Sequence, residues 1–347
     1  MWWLNVSSDN WIGFVTMKSV LLLLVIHLLH CEGRVVVRRD EQLNNRPIIG
    51  VLSQEQSKSL QKKYPKENYT SYIAASYVKD VEASGARVVP ILIGKDRKYY
   101  RELMQKINGV LFPGGATYFN QSNGYADAGQ HIYEIAKQMN DRGDYFPIFG
   151  TCLGFELMII IASGRGEVEN RIECDVFENL PLRFDHGYKN SKMFSAAPQD
   201  VLTILSTQDV TVNYHMFCII DQNLKNFSLD RDWLVTSHST STGGSKFIAS
   251  IEHKRYPFYG VQFHPEKTFE WKQSKNYPHT VESIKANRYF MDFFVNECRK
   301  SDHTFNNVVE ENKYLIYNYV PHFTGVLGSA YHQCYMFEPR GITNSCL

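Results

Sequence analysis

The chain has almost no net charge. Its 37 Lys+Arg stand against 36 Asp+Glu, a formal balance of +1. No Lys/Arg run builds a basic groove, so nothing marks a nucleic-acid partner. Cys-x-x-Cys pairs, His/Cys clusters at zinc spacing and His-Glu-x-x-His are all missing, so no metal site is expected. There is no internal repeat and no linker composition. Thr242-Gly243-Gly244-Ser245-Lys246 lacks the spacing of a phosphate-binding loop and reads as a hairpin turn. What the chain does have is ordinary globular material. Over 347 residues, 44% are hydrophobic and 21% charged, which excludes disorder, collagen and low complexity and supplies a full core.

Lys18 precedes the apolar run Val20 to Leu29, and Cys31-Glu32-Gly33 returns to small and polar residues. A cationic flank, an apolar stretch of about ten residues and a small-residue exit form a secretory signal pattern over residues 1–33. Met17 is an alternative start. A spanning helix needs about twenty apolar residues; one drawn from Trp11 to Leu29 would contain Lys18 and His27, so no stable membrane anchor is expected. Three Asn-x-Ser/Thr sequons, at Asn68, Asn120 and Asn226, suit glycosylated surface loops of a secreted, lysosomal or vacuolar protein. Of seven cysteines, Cys31 lies at the signal boundary and Cys152, Cys174, Cys218, Cys298, Cys334 and Cys346 follow. If one of these six is a working thiol, at least one more must stay unpaired.

Beyond residue 46 strands and helices alternate. Pro47 to Leu52 is a short continuous apolar run, as in a strand buried on both faces. A helix is expected over Tyr72–Ser84, stopped by Gly85. A strand follows over Arg87–Ile93, where Pro90 suggests an edge or a bend. The same reading predicts a helix at Tyr99–Ile107, a strand at Gly109–Phe112, a helix at Ala126–Met139, a strand at Pro147–Phe149 and a buried helix at Leu153–Ala162. From about 170 to 245 the pattern loosens into short β-like pieces such as Val201–Leu205. Strands return at Phe247–Glu252 and Phe258–Phe263, before a helix over Val281–Arg299. Alternation of this kind implies right-handed βαβ units in one α/β domain, a mostly parallel sheet with helices on both faces. The domain is drawn over 46–300, with 301–347 as a tail packed on it.

Three motifs converge on one chemistry. Gly150-Thr151-Cys152-Leu153-Gly154 lies between a strand and a helix, the setting of a nucleophile on a sharp turn whose flanking glycines avoid clashes. The helix N-terminus is expected to lower the thiol pKa. In Val261-Gln262-Phe263-His264-Pro265-Glu266, Pro265 keeps His264 extended at a strand end, where α/β sheets present their sites. His264 suits a general base, and Glu266 can hold its far ring nitrogen. Phe112-Pro113-Gly114-Gly115 ends another strand; Gly115 and Leu153 are the candidate N–H donors to an oxyanion.

With Arg46–Gly50, Tyr72–Lys79, Ile107–Gly115, Phe149–Glu156, Tyr259–Lys267, Phe293–Glu297 and Gln333-Cys334-Tyr335, these motifs resemble the gamma-glutamyl hydrolase family, over about residues 46–338. That family belongs to the class I glutamine amidotransferase-like superfamily, with a flavodoxin-like sheet. The resemblance implies a cysteine hydrolase that removes gamma-linked glutamates from folate and antifolate polyglutamates, with Cys152 attacking, His264 moving the proton and Glu266 orienting it. It also implies no cofactor, a homodimer, and a lysosomal or secreted location. One departure stands out. Before Ser191-Lys192-Met193-Phe194 relatives carry an active-site histidine, and a gap-free alignment sets Asn190 there. Asn can hydrogen-bond a substrate but cannot move a proton; His186 is the nearby alternative. Two other readings stay open: a glutaminase feeding a synthase, and a secreted gamma-glutamyl-binding protein without turnover.

Overall fold

A computed structural model describes residues 43–338, less 66, 165, 167–169 and 273. The expected signal segment, Cys31 and Cys346 lie outside the described residues. Eight strands form the central sheet: β1 (Ile48–Leu52), β2 (Arg87–Ile91), β3 (Gly109–Phe112), β4 (Ile148–Thr151), β5 (Arg183–Phe184), β6 (Trp233–Thr240), β7 (Lys246–His253) and β8 (Phe258–Val261). Their order is β2-β1-β3-β4-β8-β7-β6-β5. The first five pair in parallel, and β8-β7-β6-β5 pair antiparallel. Pro90 lies in β2, at the sheet edge, opposite Val51; there its missing N–H costs no ladder bond.

Alternation along β1 sorts the core. Ile48 and Leu52 join an apolar cluster with α2 (Arg97–Met104), α3 (Tyr125–Asp141) and α4 (Leu153–Ser163). Ile49 and Val51 face the opposite cluster, with α1 (Ala75–Ala83) and α5 (Val281–Cys298). Helices thus cover both faces, and each parallel strand is buried on both sides. Thr242–Ser245 is the turn of the β6–β7 hairpin.

Two local expectations fail for physical reasons. Ser71–Ala74 is a strand rather than the first turn of a helix, because it pairs antiparallel with Cys334–Phe337 from the C-terminal segment. Its Tyr and Ile suit a pleated pairing, and helix α1 begins only at Ala75. Val201–Leu205, expected as β-like, lies in a helix over Gln199–Thr207. Its buried Val201, Leu202 and Leu205 sit at helical spacing, and Asp200 occupies the first turn. The segment after α5 also carries a helix, Val308–Tyr314, which is tied back by the Arg87–Glu311 and Lys106–Glu310 ion pairs. Among the described residues no helix is long and apolar enough to cross a membrane.

Candidate active site

Strand β4 ends at Thr151 and α4 begins at Leu153, so Cys152 alone makes the turn. Its φ of 49° and ψ of −108° lie in a region L residues rarely occupy. Such strain persists only when the surroundings over-determine it. Here Cys152 N–H donates to the Val261 carbonyl at 2.7 Å. The flanking glycines are required by close packing: a Cβ on Gly154 would sit 2.6 Å from the Phe112 carbonyl carbon, and one on Gly150 would sit 2.7 Å from that of Gly154.

His264 leaves the end of β8, the strand next to β4, and its N–H donates to Val212 O at 2.8 Å. Its Nδ1 lies 2.9 Å from Glu266 Oε1, which leaves Nε2 for the reaction. A Cβ on Gly114 would lie 2.8 Å from His264 Cε1 and 3.1 Å from Cys152 Cβ. Imidazole and thiol therefore flank the same small space, which only a glycine loop leaves open. Cys152, His264 and Glu266 are 4%, 4% and 1% exposed. Burial alone would raise the Glu266 carboxyl, but His264 and Lys267 outweigh it and hold the group below its ordinary value.

The thiol departs from expectation. Burial pushes it well above the ordinary cysteine value, and Glu156 and Glu266 add to that; the Leu153 N–H and Lys267 oppose them without prevailing. The helix N-terminus therefore does not give a resting thiolate. Deprotonation has to be coupled to His264 as the carbonyl carbon arrives.

Leu153 N–H acts on the sulfur itself. Gly115 passes over Gln54, whose Cδ would meet a Cβ there at 2.6 Å, and its own N–H makes no hydrogen bond among the described residues. Behind the sulfur, Gln262 Nε2 lies 3.8 Å from Cys152 Sγ and donates to Glu156 Oε1 at 2.9 Å. Arg171 donates to Glu156 Oε2 at 2.6 Å. Glu156 and Gln262 stood inside the recognised motifs, yet nothing in their spacing revealed that they pair.

Asn190 is not brought to this cluster. It is exposed at the end of the Tyr188–Asn190 turn, its N–H bonded to Gly187 O at 2.8 Å, and His186 is exposed as well. The histidine the fold brings near His264 is His215, which the sequence reading passed over. It follows Val212 by three residues, is 5% exposed and has Nε2 3.2 Å from Asn213 Oδ1. Burial, with His264 adding, lowers its pKa to about 3. The only signal available was Val212-Asn213-Tyr214-His215, in the stretch where periodicity is weakest.

His215 Nδ1 lies 3.6 Å from the sulfurs of both Cys174 and Cys218. These three residues could ligate a metal by position, but the two sulfurs are bonded to each other as a disulfide, which removes the thiolates a metal would need. Cys298 and Cys334 are buried and, among the described residues, unpaired, like Cys152. Asn68, Asn120 and Asn226 are all exposed, the last ending a helix rather than sitting in a loop. A cavity of about 490 Å³ is bordered by Phe177, Tyr214, Lys275, Tyr277 and Val212 among others, the last being the residue whose carbonyl accepts from His264 N–H.

Residues 47–266 match the family model described as Peptidase C26. The chain belongs to the peptidase C26 family. Its similarity to curated members runs nearly end to end. It is 38% identical to the gamma-glutamyl hydrolase of Homo sapiens, over 91% of this chain and 98% of that protein. Identity is 40% to that of Bos taurus, over 84% and 90%, and 33% to gamma-glutamyl hydrolase 1 of Arabidopsis thaliana, over 87% and 86%. In this chain the strained cysteine and the His264–Glu266 pair follow the ends of neighbouring parallel strands.

Proposed function

We propose that this peptidase C26 member hydrolyses gamma-glutamyl amide bonds, with folate and antifolate poly-gamma-glutamates as substrates. The observation that carries the reading is Cys152 in strained backbone, with the His264–Glu266 pair across the bare Gly114.

Cys152 Sγ attacks the gamma-amide carbonyl while His264 Nε2 takes its proton. The negative charge on the carbonyl oxygen meets the N–H groups of Leu153 and Gly115. His264 then returns the proton to the departing amine as the C–N bond breaks. Water, deprotonated by the same imidazole, attacks the thioester and releases the acid and the thiol. Glu266 keeps the proton on Nδ1 and steadies the imidazolium. The adjoining cavity, with Lys275 among aromatic walls, offers room for the remainder of the substrate. The signal segment and the exposed sequons support a secreted or lysosomal glycoprotein, and the family resemblance supports a homodimer.

The deciding experiment is hydrolysis of folate pentaglutamate at mildly acidic pH by the mature protein, with Cys152→Ala alongside. Glutamate or short gamma-glutamyl chains should be released by wild type only, with at least about a thousandfold lost in the variant. Equal activity of the two would refute the mechanism. An inactive wild type would leave a binding protein.

A further inference from the structure

We infer that Tyr77 is a positioning residue that fastens the oxyanion loop to the His264–Glu266 pair through one buried hydroxyl. The inference rests on the hydrolase reading above.

The Pro113–Gly114 peptide is gripped on both sides. Its carbonyl accepts from Gln54 Nε2 at 2.9 Å and from Tyr125 Oη at 2.7 Å. Its N–H, on Gly114, donates to Tyr77 Oη at 2.8 Å. With that peptide plane fixed, the next N–H, on Gly115, is the one left without a protein acceptor among the described residues. An oxyanion donor needs this kind of preset orientation, because a group that must reorganise during the reaction loses its advantage.

The same hydroxyl lies 3.5 Å from His264 Nδ1. That nitrogen is already engaged by Glu266 Oε1 at 2.9 Å. A phenol has one proton, and Gly114 takes up an acceptor position on the oxygen, so the proton remains to be donated. Facing it beside His264 Nδ1 is the Glu266 carboxylate, whose Oε2 makes no hydrogen bond of its own and whose charge helps raise the Tyr77 pKa after burial. The line from Gly114 N–H through Tyr77 Oη to the His264 Nδ1–Glu266 pair thus crosses from the loop that receives the oxyanion to the groups that hold the base. Tyr77 is 1% exposed and extends from α1, so α1 holds the two parts at a set distance. Tyr77 Oη borders the same space beside Gly114 as His264 Cε1 and Cys152 Cβ, but in this scheme it makes and breaks no bond and its hydrogen bonds go to the loop and the base. Its effect is exerted through Gly115 and His264.

The test is Tyr77→Phe, which keeps the buried ring and deletes the link. Tyr100→Phe serves as the yardstick: its equally buried hydroxyl donates to Leu92 O at 3.1 Å, in another part of the sheet. With folate pentaglutamate, Tyr77→Phe should lower kcat at least about tenfold and leave KM within about twofold. Tyr100→Phe should lose comparable thermal stability with kcat retained. A kcat for Tyr77→Phe within twofold of an active wild type overturns the inference and leaves the hydrolase reading standing. So does a rise in KM at unchanged kcat, or an equal loss of kcat in both variants. A wild type that releases nothing overturns the hydrolase reading itself.

Discussion

Cys152 and His264 enter the site from β4 and β8, adjacent parallel strands in register from Ile148–Phe258 to Thr151–Val261. Val212 and His215 enter from the segment between α4 and β6, where two-stranded antiparallel pairs replace a broad ladder. In the first region position is set by backbone: parallel ladders, glycines at contact distance and helices on both faces. In the second it is set by side chains. The Cys174–Cys218 bond closes a sequence separation of 44 residues, a cross-link of the kind worth about 2–4 kcal/mol. Thr211 Oγ1 donates to Leu180 O at 2.7 Å, and Asn213 Nδ2 to Thr211 O at 3.0 Å. The regions meet at the bond from His264 N–H to Val212 O. The lesson is that the reacting groups sit on the repetitive scaffold, while the flank of the site is held by individual contacts.

The sharpest way to break the backbone-set region is Gly154→Ala. The added carbon would press on the Phe112 carbonyl, which β3 cannot move without losing its pairing. We expect a cost of about 3 kcal/mol, seen as a fall of several degrees in Tm, with kcat falling further as Cys152 shifts. A variant of wild-type stability and rate would show that the turn is looser than its contacts imply.

The same contrast governs what could be read from the sequence. β3 was legible residue for residue, because Gly109-Val110-Leu111-Phe112 has the composition of a strand buried on both faces and the Pro-Gly-Gly that follows ends it. Cys152 and His264 were legible because each follows a strand end beside Gly or Pro, where local chemistry dictates backbone, and Glu266 because it follows Pro265 in the next turn. Ser71–Ala74 was not, since its conformation is decided by a strand more than 250 residues away. Nor was His215, whose place depends on the adjacent Cys174–Cys218 disulfide and on Asn213, neither of which leaves a periodic trace. The thiol pKa departs from the sequence expectation for a related reason. A helix N-terminus is visible in sequence, whereas the burial and the two carboxylates that outweigh it are tertiary.

The side-chain-set region should instead respond to acid. His215 is neutral in the folded state down to about pH 3, while in the unfolded chain it titrates near 6.5. Its folded pKa is depressed, so below about 6.5 the unfolded state binds the proton and the folded state does not. Stability present above that pH is therefore lost as pH falls towards 3. At about 1.4 kcal/mol per pH unit, the loss between pH 6.5 and 5 is about 2 kcal/mol. His253, lowered to about 4 by burial, acts in the same direction. Asp80 and Glu252, raised by burial, act in the opposite one. His215→Gln leaves all three in place, so subtracting its urea midpoints from those of wild type isolates His215. The wild-type midpoint should fall more steeply than that of the variant from pH 7.5 to 5, and parallel curves would refute the assignment.

The smallest effect belongs to Asn190→His, the substitution that would restore the histidine a gap-free alignment assigns there. The turn bearing Asn190 leads into Lys192–Ser195, whose first two N–H groups are held by the Glu252 carboxylate at 2.9 and 3.0 Å. Glu252 pairs with Tyr259 in β8, whereas His264 lies beyond the other end of that strand. An imidazole on this exposed turn would stand near Glu252's end of β7 rather than near the end of β8 that leads to His264. Activity towards folate pentaglutamate should stay within about twofold of wild type, with no new ionisation in its pH profile, as for surface substitutions generally. A clear gain in kcat would mean that this turn reaches the thiol during turnover, and would shift the second-histidine position from His215 back to the turn.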